Sequence, residues 1–61
     1  MNNQLFEEYP ELVSVSDLMN MLGIGRVLAY RLITDKKVKA VKIGREYKIV
    51  KNSVIALIQR S

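Results

Sequence analysis

The chain has 61 residues and carries ten Lys and Arg against six Asp and Glu, a net charge of +4. This length predicts one small domain, because a chain of about 60 residues buries only about 60% of the surface that its unfolded form exposes. The absence of cysteine and histidine argues against disulfides, a zinc site and a neutral-pH general base. No apolar run approaches the roughly 20 residues of a membrane span, and the polar start MNNQ is unlike a signal peptide. We therefore expect a non-catalytic intracellular domain without a cofactor or metal.

Positive charge is concentrated away from the N-terminus. Glu7, Glu8 and Glu11 lie in the first eleven residues, whereas from residue 12 onward ten basic residues stand against three acidic ones. A local excess of this kind favours a polyanionic partner. The alternative is a solvated charged surface without a specific partner.

Residues 1–11 are predicted to form a flexible N-terminal arm, and residues 12–61 one domain. Asn, Gln and acidic residues dominate the arm, and Pro10 ends any helix that could start there. One or more of three apolar side chains of the arm is expected to rest on the body of the domain: Leu5, Phe6 and Tyr9.

A first helix is predicted to begin at Ser14. Ser14 and Asp17 have the spacing of a capping box, and Val13 and Leu18 that of a hydrophobic staple. Gly23 is expected to end the helix in the left-handed conformation. The apolar residues at helical spacing, which predict the buried face, are Val15, Leu18, Met19 and Leu22.

A second helix is predicted over residues 26–35, joined to the first by a short turn around Gly23, an arrangement typical of a helix-turn-helix. Its buried stripe is predicted to contain Ala29, Leu32 and Ile33, with Leu28 at the margin. The residues predicted to lie on the opposite side of this helix are Arg26, Val27, Tyr30, Arg31 and Thr34.

Two segments rich in β-branched residues, 38–43 and 46–50, flank the two-residue loop Gly44-Arg45. Glycine at the first loop position predicts a type II′ hairpin, in the register Ile43–Glu46, Lys42–Tyr47, Val41–Lys48 and Ala40–Ile49. Alternation then puts Ala40, Lys42, Tyr47 and Ile49 on one face, with Ala40 and Ile49 covering the helices, and Val41, Ile43, Glu46 and Lys48 on the other.

A last helix is predicted from Asn52, burying Val54, Leu57 and Ile58. The fold class is therefore α+β, a small winged helix-turn-helix with two helices, a two-stranded hairpin wing and a C-terminal helix.

This order of elements suits double-stranded DNA. Arg26, in the first turn of the second helix, is the candidate for contact with guanine or a phosphate. Tyr30 and Arg31 are candidates for backbone or groove-wall contacts, and Thr34 for a phosphate contact. The alternatives are plain solvation for the two arginines and partial core packing for Tyr30. Val27 completes the exposed side of this helix.

Arg45 at the hairpin tip is the residue best placed to enter a minor groove, with Lys42 and Lys48 beside it. The alternative for the lysines is protection of the hairpin edges against pairing with other chains. The remaining candidate phosphate contacts are Gly25, Lys36, Lys37 and Lys39.

Residues 13–58 resemble the small excisionase family, the MerR-like winged-helix domains of phages and integrative elements. The resemblance rests on the segments VSVSDLMNMLGIGR, AYRLI and KVKAVKIGREYKI, in that order. It implies the second helix in the major groove and the wing in the adjacent minor groove. Three departures stand out: Gly25 replaces a capping Ser, Val27 and Leu28 replace residues that are more often polar, and Val50 replaces a proline.

The resemblance implies a recombination directionality factor of a mobile element in the bacterial cytoplasm, associated with the nucleoid. Such a factor binds near an attachment sequence, bends the DNA and assists a tyrosine-recombinase integrase, with further copies of itself as additional partners. A small phage or plasmid transcriptional regulator is the second hypothesis. The third is a protein-interaction module that uses the acidic arm or exposed Val27 and Ile55.

Overall fold

A computed structural model describes residues 6–60, which form three helices and a three-stranded antiparallel sheet. This is the small α+β winged helix-turn-helix that the sequence predicts. No helix within the described range is long and apolar enough to cross a membrane. The elements in chain order are β1 (Leu12–Val13), α1 (Val15–Leu22), α2 (Arg26–Thr34), β2 (Ala40–Ile43), β3 (Glu46–Val50) and α3 (Lys51–Arg60).

The wing is the predicted two-stranded hairpin, and the sheet has a third strand, β1, that was not predicted from the sequence. Its order is β1-β3-β2, with Leu12 opposite Val50 and Val13 opposite Ile49. The backbone N–H of Lys51 donates to the carbonyl of Glu11 at 2.8 Å, next to this pairing. The segment before α1 therefore belongs to the same sheet as the wing.

Helix α1 begins and ends as predicted. Ser14 Oγ accepts a hydrogen bond from the N–H of Asp17 at 3.1 Å, and the Asp17 carboxylate accepts one from the N–H of Ser14 at 3.4 Å. At the other end Gly23 has a φ of 65°, and its N–H donates to the Met19 carbonyl. A side chain is rarely tolerated at such a φ, so glycine is the residue that fits there.

The buried face of α1 differs in part from the predicted one. Val15, Leu18 and Met21 are buried, whereas Met19 and Leu22 are half-buried at the edge of the core. At about 100° per residue, Met21 lies closer in angle to Leu18 than Met19 does. The face is thus centred on Leu18 and turned toward Met21, which the apolar spacing alone did not distinguish.

Helix α2 buries Ala29 and Ile33 against the core and leaves Leu28 45% exposed at the margin. It ends without a glycine: Asp35 caps it, and Lys36 follows with a φ of 62°. The N–H of Lys36 donates to the carbonyl of Ile33 at 3.1 Å, so the left-handed residue closes the last turn.

The hairpin has the predicted register at all four pairs, from Ala40–Ile49 to Ile43–Glu46. In its loop Gly44 has a φ of 64° and Arg45 does not have a positive φ, which fits a type II′ turn. The predicted faces are confirmed too, because Lys42 Nζ lies 5.7 Å from the Tyr47 ring centroid on one side.

Helix α3 begins at Lys51, one residue before the predicted start, and buries Val54 completely. Leu57 is half-buried against the core. Ile58 corrects the prediction, since it is 36% exposed. The hydroxyl of Ser53 joins α3 to the sheet: it accepts from the N–H of Lys39 at 2.9 Å and donates to the Val50 carbonyl at 2.7 Å.

The described part of the arm, residues 6–11, lies against the body. The Lys51 ammonium group donates hydrogen bonds to the carbonyls of Tyr9 at 2.7 Å and Phe6 at 3.3 Å. The Phe6 and Tyr9 rings meet edge to face at 6.1 Å, and both side chains are half-buried against the core. Leu5 lies outside the described residues.

We expect Ser14→Ala to lower the free energy of unfolding by about 1 kcal/mol, because it removes the side-chain half of the capping box. Urea denaturation measures the change. Ser16→Ala is the matched control, since Ser16 is exposed in the same first turn and makes no hydrogen bond from its side chain within residues 6–60. A loss as large in Ser16→Ala as in Ser14→Ala would contradict the assigned cap.

Candidate nucleic-acid interface

The outward side of α2 forms an exposed stripe along the helix. Ala29 and Ile33 point into the core, and Val27, Arg31 and Thr34 follow one another at i, i+4 and i+7 on the far side. Val27 is 80% exposed. The five residues predicted for this surface are all exposed: Arg26, Val27, Tyr30, Arg31 and Thr34.

The start of α2 is open to solvent. Gly25 is the N-cap with an extended backbone (φ −84°, ψ 176°), and no side chain caps the helix. The Gly25 carbonyl accepts the first intrahelical hydrogen bond, from the N–H of Ala29 at 3.0 Å. The N–H groups of the first turn are left for an external acceptor, which is the environment that a phosphate favours.

A hollow lies where the start of α2 meets the wing tip, and we call it the tip hollow. Arg26 and Tyr30 line it from α2, and Arg45 and Tyr47 from the wing. The remaining lining residues are Ser14, Val15, Ser16 and Glu46. Arg26 and Arg45, which the sequence predicts as the two principal contacts, thus line the same depression.

Two tyrosines join α2 to the wing. The rings of Tyr30 and Tyr47 meet edge to face, with centroids 6.0 Å apart and planes at 71°. Tyr30 is 37% exposed, so its ring is in part a packing group and in part accessible. Lys42 stands over the other ring, with Nζ 5.7 Å from the Tyr47 centroid, a geometry that favours a cation–π contact.

Tyr47 is the residue at this junction that the sequence prediction of the interface missed. The predicted register already put it on the helix-facing side of the hairpin, beside Ala40 and Ile49. That position was the available signal, because an aromatic side chain on the covered face of a wing has only the helices to contact. Tyr47 also lines the second hollow described next.

The second hollow, which we call the base hollow, lies between the end of α2, the start of β2 and α3. Its floor is apolar, with Ile33, Val38 and Leu57 among the lining residues. Four basic residues line it, together with the hydroxyl-bearing Thr34 and Ser53: Lys36, Lys37, Lys39 and Arg60. Arg60 was not predicted, because residue 60 comes near residues 36–39 only through the packing of α3. Tyr47 lines both hollows, and we call the line that runs from one to the other between α2 and the wing the seam.

The hydroxyl of Thr34 is already engaged within the helix. Its Oγ1 donates to the Arg31 carbonyl at 3.2 Å. In this rotamer the hydroxyl has no proton left for a phosphate oxygen, which accepts only. A phosphate contact by Thr34 therefore requires the side chain to rotate.

The two lysines predicted to flank the wing tip lie on opposite faces of the hairpin. Lys42 is on the α2 side with Tyr47, whereas Lys48 is on the outer side, with Nζ 3.9 Å from a carboxylate oxygen of Glu46. An exposed ion pair at this distance contributes little stability. Arg45 extends from the exposed loop between them.

Most of the positive charge on this side has no acidic partner. Within residues 6–60, the ion pair formed is the one between Lys48 and Glu46, so Arg26, Arg31 and Arg45 form none, although Glu46 also lines the tip hollow. The same holds for the lysines of the base hollow, Lys36, Lys37 and Lys39. Cations that form no ion pair and lie along the seam attract an extended polyanion.

The chain matches a family model described as a helix-turn-helix domain over residues 12–61, from β1 to the end of the sequence. Comparisons with curated proteins and with solved structures gave no match. The matched family includes excisionase-like DNA-binding proteins, and its members are typically non-catalytic. Membership implies DNA binding. The protein therefore belongs to the helix-turn-helix domain family.

Proposed function

We propose that this protein binds double-stranded DNA sequence-specifically and acts as an excisionase, an architectural and non-catalytic recombination directionality factor. The observation that carries the DNA-binding part is the tip hollow, which has Arg26 of α2 and Arg45 of the wing on the same depression. One duplex can meet both residues, since a helix fits the major groove and the minor groove lies next to it. Each residue then has a distinct task.

In this proposal α2 lies in the major groove with its N-terminal turn toward the bases. Arg26 forms a bidentate contact with guanine or binds a phosphate, and Arg31 contacts the backbone or the groove wall. Gly25 has no side chain to cap the helix, so the backbone N–H groups at the start of α2 are offered to a phosphate. Tyr30 holds the wing through Tyr47 and presents its remaining surface to the groove.

The wing supplies the second set of contacts. Arg45 enters the minor groove, where negative potential concentrates, and Lys42 and Lys48 reach phosphates from the two faces of the hairpin. The cations at the base hollow extend the same track along the backbone. These are Lys36, Lys37 and Lys39, with Arg60 added by the structure.

The excisionase role rests on the family and on the pattern of elements. The matched family includes excisionase-like DNA-binding proteins, and the segments from Val13 to Ile58 resemble that group in order. Contact with two neighbouring grooves suits a protein that bends DNA. Its proposed partners are the DNA of an attachment region, a tyrosine-recombinase integrase and further copies of itself. A phage or plasmid transcriptional regulator is the alternative, and it uses the same surface.

We expect binding to weaken steeply with salt. With about four to seven phosphates neutralised, a plot of log K against log[salt] should fall with a slope of roughly −4 to −6. Fluorescence anisotropy of a labelled duplex between low and high salt measures it. A flat response would favour the third hypothesis, a protein-interaction module that uses the acidic arm or exposed Val27 and Ile55. Of these, Ile55 is half-buried in the structure.

We expect Arg26→Ala and Arg45→Ala to change DNA binding in different ways. Arg26→Ala should cost about 1–3 kcal/mol on the preferred site and relax the preference at one or two base pairs. Arg45→Ala should weaken binding to most sequences alike. Arg60→Ala removes the same charge from the far end of the proposed track at the base hollow. It is the reference for losing one phosphate contact, and we expect a smaller loss that is equal on all sequences. Equal losses on specific and random DNA for both wing and helix variants would refute this division.

The excisionase role is tested by recombination with purified integrase and attachment DNA of the element that encodes the chain. Adding the protein should raise the yield of excised product, and Arg26→Ala should reduce that yield in proportion to its binding defect. Binding at the attachment region with no change in excision would leave the regulator as the function.

A further inference from the structure

Val27 is the most exposed large apolar side chain in the part of the chain that the structure describes. It is 80% exposed, against 57% for Ile43 and 47% for Leu12. It lies in the first turn of α2, on the side opposite Ala29, which is fully buried. The Val27 side chain therefore does not contribute to the hydrophobic core.

Local structure gives no reason for a valine at this position either. A β-branched residue loses side-chain freedom in a helix, so an exposed valine is a poorer helix former than lysine, glutamate or alanine. Its neighbours on the stripe are polar, with Arg26 before it and Arg31 one turn later. Val27 is thus the one aliphatic side chain on the stripe, at the end where a recognition helix comes closest to the bases.

The major groove offers one apolar group that matches such a spot, the 5-methyl group of thymine. Cytosine lacks this methyl and presents an amino donor, which a valine cannot satisfy. Two γ-methyl groups on a stiff side chain form a preorganised apolar surface, so the contact costs little conformational freedom. Shape and polarity both therefore favour a pyrimidine with a 5-methyl group.

We propose that Val27 reads the 5-methyl group of a thymine in the major groove and so determines specificity at one base pair. This inference rests on the proposed function, in which α2 lies in the major groove. Because Val27 follows Arg26 directly, the thymine lies at a base pair adjacent to the one that Arg26 contacts. The site then favours 5-methylcytosine over cytosine at the same position, because the methyl group stands at the same ring carbon.

The test replaces each thymine of the preferred duplex in turn by deoxyuridine, which pairs identically and lacks only the methyl group. The full chain should lose affinity at one position by about fourfold, the value of one buried methyl-sized group (about 0.8 kcal/mol). Val27→Ala should bind the thymine and deoxyuridine duplexes equally well at that position. Leu28→Ala is the matched control, being 45% exposed on another side of the helix, and should keep the difference.

A second arm places cytosine at the sensitive position and then methylates it, which should restore part of the lost affinity. Loss of the deoxyuridine effect in Val27→Ala together with this rescue supports the proposal. Tight sequence-specific binding with no thymine sensitive to deoxyuridine, or a sensitivity unchanged in Val27→Ala, overturns it and leaves the proposed function standing. The absence of sequence-specific binding to any duplex overturns both.

Discussion

The central position of β3 is the constraint on which the rest of the structure depends. This strand pairs with β1 on one side and β2 on the other, and Ile49 near its end is fully buried. It also leads without a break into α3. The strand therefore fixes the wing relative to the helices, and only with that relation fixed do Arg26 and Arg45 line one hollow. Loosening the β3 contacts would move the wing tip away from α2 without changing any residue of the interface.

The surface that β3 organises works against the stability of so small a domain. Cations along the seam that form no ion pair repel one another, which lowers the stability of the fold. The core that opposes this repulsion is small, and its largest fully buried side chains are Leu18, Ile49, Val13 and Val54. DNA bound along the seam would relieve this repulsion. A ligand that binds only the native state stabilises it. The free energy of unfolding should therefore be higher for the DNA-bound domain than for the free domain.

The sequence predicted what depends on local chemistry. The capping box of Ser14 and Asp17, the left-handed Gly23 and the register around Gly44 were all confirmed, since each follows from spacing and turn type alone. The predicted interface residues lie on exposed surface except Lys48, which is half-buried, and whether each contacts DNA remains a prediction. Features that depend on packing were missed. The strand β1 has two residues, too few to show a period, and Met21, Ile58, Tyr47 and Arg60 take their places only through the meeting of distant elements.

Lys36 is a non-glycine residue in the left-handed backbone conformation, with a φ of 62°. A lysine in the left-handed region costs about 1 kcal/mol more than a glycine would, yet the last turn of α2 closes on Lys36, which also lines the base hollow. Substituting glycine there would relax the backbone and remove a charge in the same step. At this residue a change that raises the stability of the fold therefore also lowers the positive charge at the base hollow.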